Sequence, residues 1–305
     1  MQVEGTRIDR RDWPLLGLLS VLWGGTFFFV AVALKDLSPL TIVFARVALA
    51  ALILAPIVPF CGDEFPPHLR DWMPFFVMGI LNNVIPFSLL AFAQAEISSG
   101  LASILNATTP IFAISVAIGF GEEAASVQRG AGVGLGLLGV VILQAGNVAS
   151  SNEMGLGTVL CLGAAISYGF AGLWGRRKLI RVSPLTSAAC QLISASIVML
   201  LLFAATGSFA TISMPTVATW ISLIGLASLS TALAYVVFFR ILARSGSTNV
   251  MLVTLLIPVT SILLGHFVLH EPVSTQEIIG AFVIGSALLV LDGRGLSIVR
   301  LRRSS

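Results

Sequence analysis

Ten stretches of about 20 apolar residues each follow one another along this chain, at roughly 14–34, 39–59, 72–93, 98–119, 127–146, 155–175, 184–206, 217–239, 248–269 and 275–292. Each is long enough to cross the hydrocarbon core of a bilayer as a helix. Only short turns separate them, marked by proline, glycine, serine or charge, as in Ser38-Pro39, Pro66-Pro67, Gly121-Glu122-Glu123 and Glu271-Pro272. No linker is long enough to hold a soluble domain. The charged share of the 305 residues is 10% and the mean hydropathy is +1.00, where soluble domains carry about 25% charge. Such a chain cannot coat a water-facing surface. The expected fold class is therefore an all-α membrane protein with ten transmembrane helices. Disordered, collagenous, coiled-coil and disulfide-scaffold classes are excluded on the same numbers.

Lysine and arginine set the expected orientation. With the N-terminus inside, 15 of the 17 basic residues fall in inside segments, Lys35 alone falls outside, and Arg46 lies within the second span. Both termini are then cytoplasmic. The first span resembles a secretion signal, with Arg7, Arg10 and Arg11 before it and Ala31-Val32-Ala33 at its end. Its apolar stretch is too long for that role. The net charge of +3 includes no basic face suited to nucleic acid. Cys61, Cys161 and Cys190 match no zinc or redox spacing.

The two halves of the chain echo each other. Ser38-Pro39-Leu40-Thr41 opens the second span and Ser183-Pro184-Leu185-Thr186 opens the seventh, an offset of 145 that also sets Trp23-Gly24 against Tyr168-Gly169. At an offset of 148, Trp72 meets Trp220, Phe87 meets Tyr235, Ser99 meets Ser247, Pro110 meets Pro258, Glu123 meets Glu271 and Gly132 meets Gly280. The expected division is residues 1–148 as a first five-helix repeat and residues 149–305 as a second. Five is odd, so the second copy enters the membrane from the opposite side. Inverted repeats recur in secondary transporters, with the site near the midplane between them.

With Trp23-Gly24, Arg46, the proline-containing helices that end at Glu123 and Glu271, and the glycine-rich fifth and tenth spans, the chain resembles the ten-helix EamA-type branch of the drug/metabolite transporter superfamily. Within that branch it is similar to bacterial amino-acid exporters of the YddG type. The resemblance covers essentially the whole chain. It implies export of small metabolites through a central cavity framed by helices 1, 3, 4, 6, 8 and 9, and a place in the bacterial inner membrane.

Proline removes an amide donor, which frees the carbonyl four residues earlier. Pro86, Pro110 and Pro258 thus point to Asn82, Asn106 and Thr254. Each carries a polar side chain near mid-span, where polar groups face a cavity or another helix rather than lipid. Asn82, Asn83 and Asn106 lead the candidate substrate-binding residues, because an amide both donates and accepts. Trp23, Tyr168 and Tyr235 join them as mid-span aromatics with a polar atom to satisfy. Ordinary kinks and simple packing are the competing readings. Trp13, Trp72 and Trp220, at span ends, read as interface anchors.

The 14 acidic residues all lie at helix ends or in loops. A proton-coupled exporter of cations needs an embedded carboxylate, so cation antiport is not expected. Arg46 and His266 are placed in the outer third of their spans; snorkelling or a hydrogen bond to a loop is the expectation for Arg46, with binding of a substrate carboxylate as the alternative, and a packed imidazole is the expectation for His266, with a proton relay as the alternative. Gly134-x-Gly136-x-x-Gly139 matches a dinucleotide fingerprint only in letters, since no strand precedes it. Gly130-xxx-Gly134 and Gly132-xxx-Gly136 read as close helix packing.

The expected function is a uniport-like, alternating-access exporter of small neutral or zwitterionic metabolites, amino acids foremost. No enzymatic activity, cofactor or metal is expected. The expected partners are a small-molecule substrate and the lipid bilayer, with no nucleic acid, and the chain is read as a monomer. A transporter of nucleotide sugars, nucleobases or drugs is the alternative, followed by a membrane-embedded enzyme or a non-transporting binding protein.

Overall fold

In a computed structural model of the chain, residues 13–151, 155–205, 214–241 and 253–292 are described, the side chains of 144–151 and 292 excepted. Arg7, Arg10, Arg11, Glu153, Arg244, Ser247 and the basic residues after 292 lie outside this set. Every regular element among the described residues is helical. The helices are α1 Trp13–Ala33, α2 Pro39–Phe60, α3 Leu69–Ala93, α4 Ser99–Gly119, α5 Val127–Ser151, α6 Leu156–Lys178, α7 Pro184–Ala205, α8 Val217–Ile241, α9 Val253–Val268 and α10 Thr275–Asp292. Seven of them, α1 to α4 and α6 to α8, are long and apolar enough to cross a membrane. The other three offer shorter apolar stretches, Val127–Leu143, Val253–Val268 and Thr275–Leu291. Large apolar side chains face outward all round the bundle, among them Leu52, Val141, Leu201 and Phe282. A solvent of acyl chains accommodates such a surface, and water does not.

Local chemistry starts the helices. The Thr41 amide donates to Ser38 Oγ and the Thr186 amide to Ser183 Oγ, so the two matched Ser-Pro-Leu-Thr segments are capped alike. Carboxylates fasten loops to helix starts elsewhere. Asp36 Oδ2 accepts from the Thr216 amide at 2.8 Å and from the Thr216 and Thr219 hydroxyls at 2.6 Å each, joining the α1–α2 loop to the first turn of α8. The Thr216 and Thr219 bonds hold the Asp36 carboxyl below its ordinary value. Glu271, after α9, accepts from the Ser99 hydroxyl at 2.7 Å and from the Ser99 and Gly100 amides at the head of α4. A negative charge is favourable at that end of a helix. Glu123, its counterpart by sequence offset, pairs instead with Arg129 at 2.9 Å.

The bundle is held by close crossings. α5 lies along α10, α1 against α9 and α8, α6 against α4 and α3, and α2 against α7. A Cβ placed on Gly24 would stand 2.7 Å from Thr260 Cβ, and one on Gly169 would stand 3.2 Å from the Phe112 backbone. Gly132 lies against Leu291, and Gly280 lies against Leu143. The sequence expectation for the two glycine pairs of α5 is corrected here. Gly132 and Gly136 sit at helix contacts, whereas Gly130 and Gly134 have nothing within 4 Å, because they turn away from α10.

The crossing at Gly24 yields a controlled test. Gly24→Ala forces α1 away from α9, a strain of about 1–3 kcal/mol. Gly17→Ala on the same helix meets open space and gains roughly 0.5–1 kcal/mol of helix stability. Melting in detergent should show a lower Tm for Gly24→Ala and an unchanged or higher one for Gly17→Ala.

Candidate functional site

Two helices open into wide turns where the bundle needs them. In α3 the Ile85 amide reaches back five residues, to the Ile80 carbonyl, instead of four. The same five-residue register would pair Pro86 with the Leu81 carbonyl, and proline has no N–H to give. Ser167 Oγ of α6 donates to that carbonyl at 2.7 Å instead. The sequence expectation placed the freed carbonyl on Asn82; the extra residue in the turn moves it to Leu81. A second wide turn, Ser228–Leu233 in α8, forms without proline. There the Thr231 hydroxyl donates to Leu226 O at 2.8 Å and the Ser228 hydroxyl to Ile224 O at 2.6 Å, loosening the ordinary ladder. The turns begin at Ile80 and Ser228, 148 residues apart.

These turns gather polar side chains from four helices. Asn82 Nδ2 donates to Gln191 Oε1 of α7 at 2.9 Å and to the Tyr235 hydroxyl of α8 at 3.3 Å. Asn83 Nδ2 donates to the same hydroxyl at 3.2 Å. Asn83 is fully buried, and its Oδ1 has no hydrogen-bond partner. Arg46 of α2 corrects another expectation. It neither snorkels nor bonds a loop: it is 7% exposed, its Nε donates to Thr231 Oγ1 in the α8 turn at 3.0 Å, and its guanidinium lies 3.6 Å over the Phe87 ring.

An aromatic series runs beside the amides. Trp23 lies 5.4 Å from Phe238, Phe238 lies 5.2 Å from Phe239, and Phe239 lies 6.1 Å from Tyr235. Tyr168 is half-buried where the two main apolar cores of the bundle meet. Asn106 and Thr254 lie on the other broken pair, α4 and α9. Pro110 ends the first part of α4; the Thr109 hydroxyl takes the Asn106 carbonyl at 2.7 Å, and Asn106 Oδ1 is buried without a partner. Thr254 is half-buried one turn before Pro258.

Of the residues named from sequence, the structure hydrogen-bonds Asn82, Asn83 and Tyr235 together, brings Tyr168 within electrostatic reach of Tyr235, links Trp23 to Tyr235 only through Phe238 and Phe239, and leaves Asn106 and Thr254 on neighbouring helices. Sequence reasoning missed Gln191, Thr231 and Ser167. Gln191 had a signal: it stands 145 residues after Arg46, the offset of the matched Ser-Pro-Leu-Thr segments. His266 is exposed at the end of α9, with Nδ1 3.2 Å from the Glu271 carbonyl, away from the amides. A cleft of about 480 Å³ opens at a different place, between the α2–α3 loop and the head of α7, lined by residues including Glu64, Arg70, Asp71 and Lys178. Among the described residues no three His, Cys, Asp or Glu side chains gather to hold a metal.

The Ser167 bond can be tested by deletion. Ser167→Ala strands the half-buried Leu81 carbonyl, a loss of about 1–3 kcal/mol. Ser115→Ala removes a hydroxyl that only reinforces its own helix at the Ile111 carbonyl. Thermal melting should show a clear Tm drop for Ser167→Ala and little change for Ser115→Ala.

Known proteins resemble this chain. The model of the EamA-like transporter family matches residues 12–144 and again 155–291. The inner membrane transporter YedA of Escherichia coli strain K12 is 25% identical over 289 residues, which cover 92% of each chain. The transporter YoaV of Bacillus subtilis strain 168 is 26% identical, covering 88% of this chain and 93% of its own. A protein of Escherichia coli strain K12 named as a probable amino-acid metabolite efflux pump is 26% identical over 298 residues, covering 93% of this chain and 95% of its own. One crystal structure superposes over 97% of this chain and 100% of its own with a TM-score of 0.64 at 17% identity, a likeness of fold. The chain is a multi-pass protein of the bacterial inner membrane, and it belongs to the EamA-like transporter family.

Proposed function

We propose that this protein is an exporter of small neutral or zwitterionic metabolites, amino acids foremost, and that it works by alternating access. Ten transmembrane helices form two inverted five-helix repeats, residues 1–148 and 149–305, with both termini in the cytoplasm. The observation that carries the proposal is the gathering of amide and hydroxyl side chains at two wide turns whose positions differ by 148 residues. Further matched contacts support the two-copy reading. Gly24 crosses α9 at Thr260 and Gly169 crosses α4 at Phe112, with offsets of 145 and 148; Gly132 meets Leu291 and Gly280 meets Leu143, both offset by 148. Broken helices at matched places are the usual lining of a transporter site.

In this reading Asn82, Asn83, Asn106 and Thr254 supply polar contacts, and Trp23, Tyr168 and Tyr235 supply the aromatic wall. Substrate is passed between the two faces by rocking of the halves. α5 and α10, which lie along each other, form the stiff support. The described acidic residues sit in loops and helix ends, which favours movement down a gradient over proton-coupled exchange. The relative named as a probable amino-acid metabolite efflux pump supports the choice of substrate.

The test is flux. Vesicles containing the purified protein and loaded with a mixture of the common L-amino acids should lose a subset of them faster than protein-free vesicles. Equal loss of every amino acid with and without protein would refute the substrate assignment. Within that assay, Asn82→Ala should slow efflux of the preferred amino acid by about tenfold, the loss of roughly 1.4 kcal/mol of transition-state or binding energy.

A further inference from the structure

We propose that Arg46 is the anchor for a carboxylate on the transported molecule. The inference rests on the transporter reading above and narrows its substrate to compounds carrying a free carboxylate.

The first observation is an uncompensated charge. Arg46 is 7% exposed in a bundle that reads as membrane-embedded. Its contacts are neutral: Nε gives to the Thr231 hydroxyl, and the Phe87 ring covers one face of the guanidinium. The ion pairs among the described residues use other arginines, Arg129 with Glu123 and Arg177 with Glu122. Neither Nη of Arg46 donates to any described residue, so the N–H edge of the guanidinium is left without an anion among them. A guanidinium taken out of water without an anion is costly to keep. A carboxylate meets that edge with two parallel hydrogen bonds.

The second observation removes the structural explanation for the charge. Gln191 stands 145 residues after Arg46. It joins α7 to the wide turn of α3 through Asn82, just as Arg46 joins α2 to the wide turn of α8 through Thr231. A neutral amide performs the same bridging in the other half. The bridge therefore needs a hydrogen bond, and the positive charge serves something else.

The third observation is what faces it. Arg46 is within electrostatic reach of Tyr235 and Tyr168, and Tyr235 is the hydroxyl on which Asn82 and Asn83 converge. Asn83 Oδ1 and, on α4, Asn106 Oδ1 are buried polar atoms with no partner. Turning the Asn83 amide over leaves its other end open, since the Tyr235 hydroxyl meets only one. A molecule with a carboxylate and an ammonium group answers both demands: the carboxylate on Arg46, the ammonium N–H groups on amide oxygens. A cation with no carboxylate would be repelled by Arg46.

The experiment compares each amino acid with its carboxamide in vesicles containing the full chain. Wild type should export the free acids at least tenfold faster than the carboxamides. Arg46→Gln, which copies the other half, should keep its Tm within a few degrees, lose at least tenfold in efflux of the free acids, and carry acid and carboxamide about equally. Arg46→Lys should retain part of the preference. A folded Arg46→Gln that still prefers acids would overturn the proposal and leave the transporter reading standing. So would wild type carrying carboxamides as fast as acids, a result that needs no variant. Absence of any protein-dependent efflux would bring down both readings together.

Discussion

Everything in this structure follows from the demand that hydrocarbon makes on a polypeptide: each backbone N–H and C=O must find a partner inside the protein. Helices meet the demand along most of the chain. Where a helix is broken, a side chain must take over, and the break is then fixed in place by that side chain. The Ser167 hydroxyl on the Leu81 carbonyl is the clearest case. It lets α3 widen in front of Pro86 and turns Asn82 and Asn83 toward α7 and α8. The α3 side of the polar cluster is thus a by-product of how the backbone was satisfied, and its position is set by one proline and one serine.

The α8 turn reaches the same shape by another route. No proline interrupts it, and hydroxyls at Ser228 and Thr231 draw off carbonyls of the preceding turn. Arg46 then uses the Thr231 oxygen as its support. The two turns are alike in geometry and unlike in charge, since an arginine serves one and a glutamine the other. In the proposed transporter, a site between two similar halves gains selectivity from differences of this kind, because the shared parts would bind any small polar molecule and the unshared cation would not.

Much of this was legible in the sequence. Apolar run lengths gave the membrane class, and the three mid-span prolines drew attention to Asn82 and Asn106. The rest was hidden for physical reasons. The wide turn shifts the freed carbonyl by one residue, and no proline rule records that shift. Arg46 was expected to reach a loop or the interface, and the Thr231 hydroxyl in the α8 turn takes its Nε instead, a contact that no spacing in the sequence announces. Gln191 looked like an ordinary polar residue in a helix until its partner in the other half was considered. Gly130 and Gly134 share their spacing with Gly132 and Gly136, and only the rotation of α5 against α10 separates the two pairs.

The central claim is that the amide cluster is a chamber reached by water from each side of the membrane in turn. A cysteine at position 82, in a protein whose own three cysteines have been replaced, measures this directly. In right-side-out and in inverted vesicles, a small charged thiol reagent should label Asn82→Cys from both faces, far faster than a Leu229→Cys control that faces the acyl chains. Labelling from one face only, or at the rate of the control, would contradict the account.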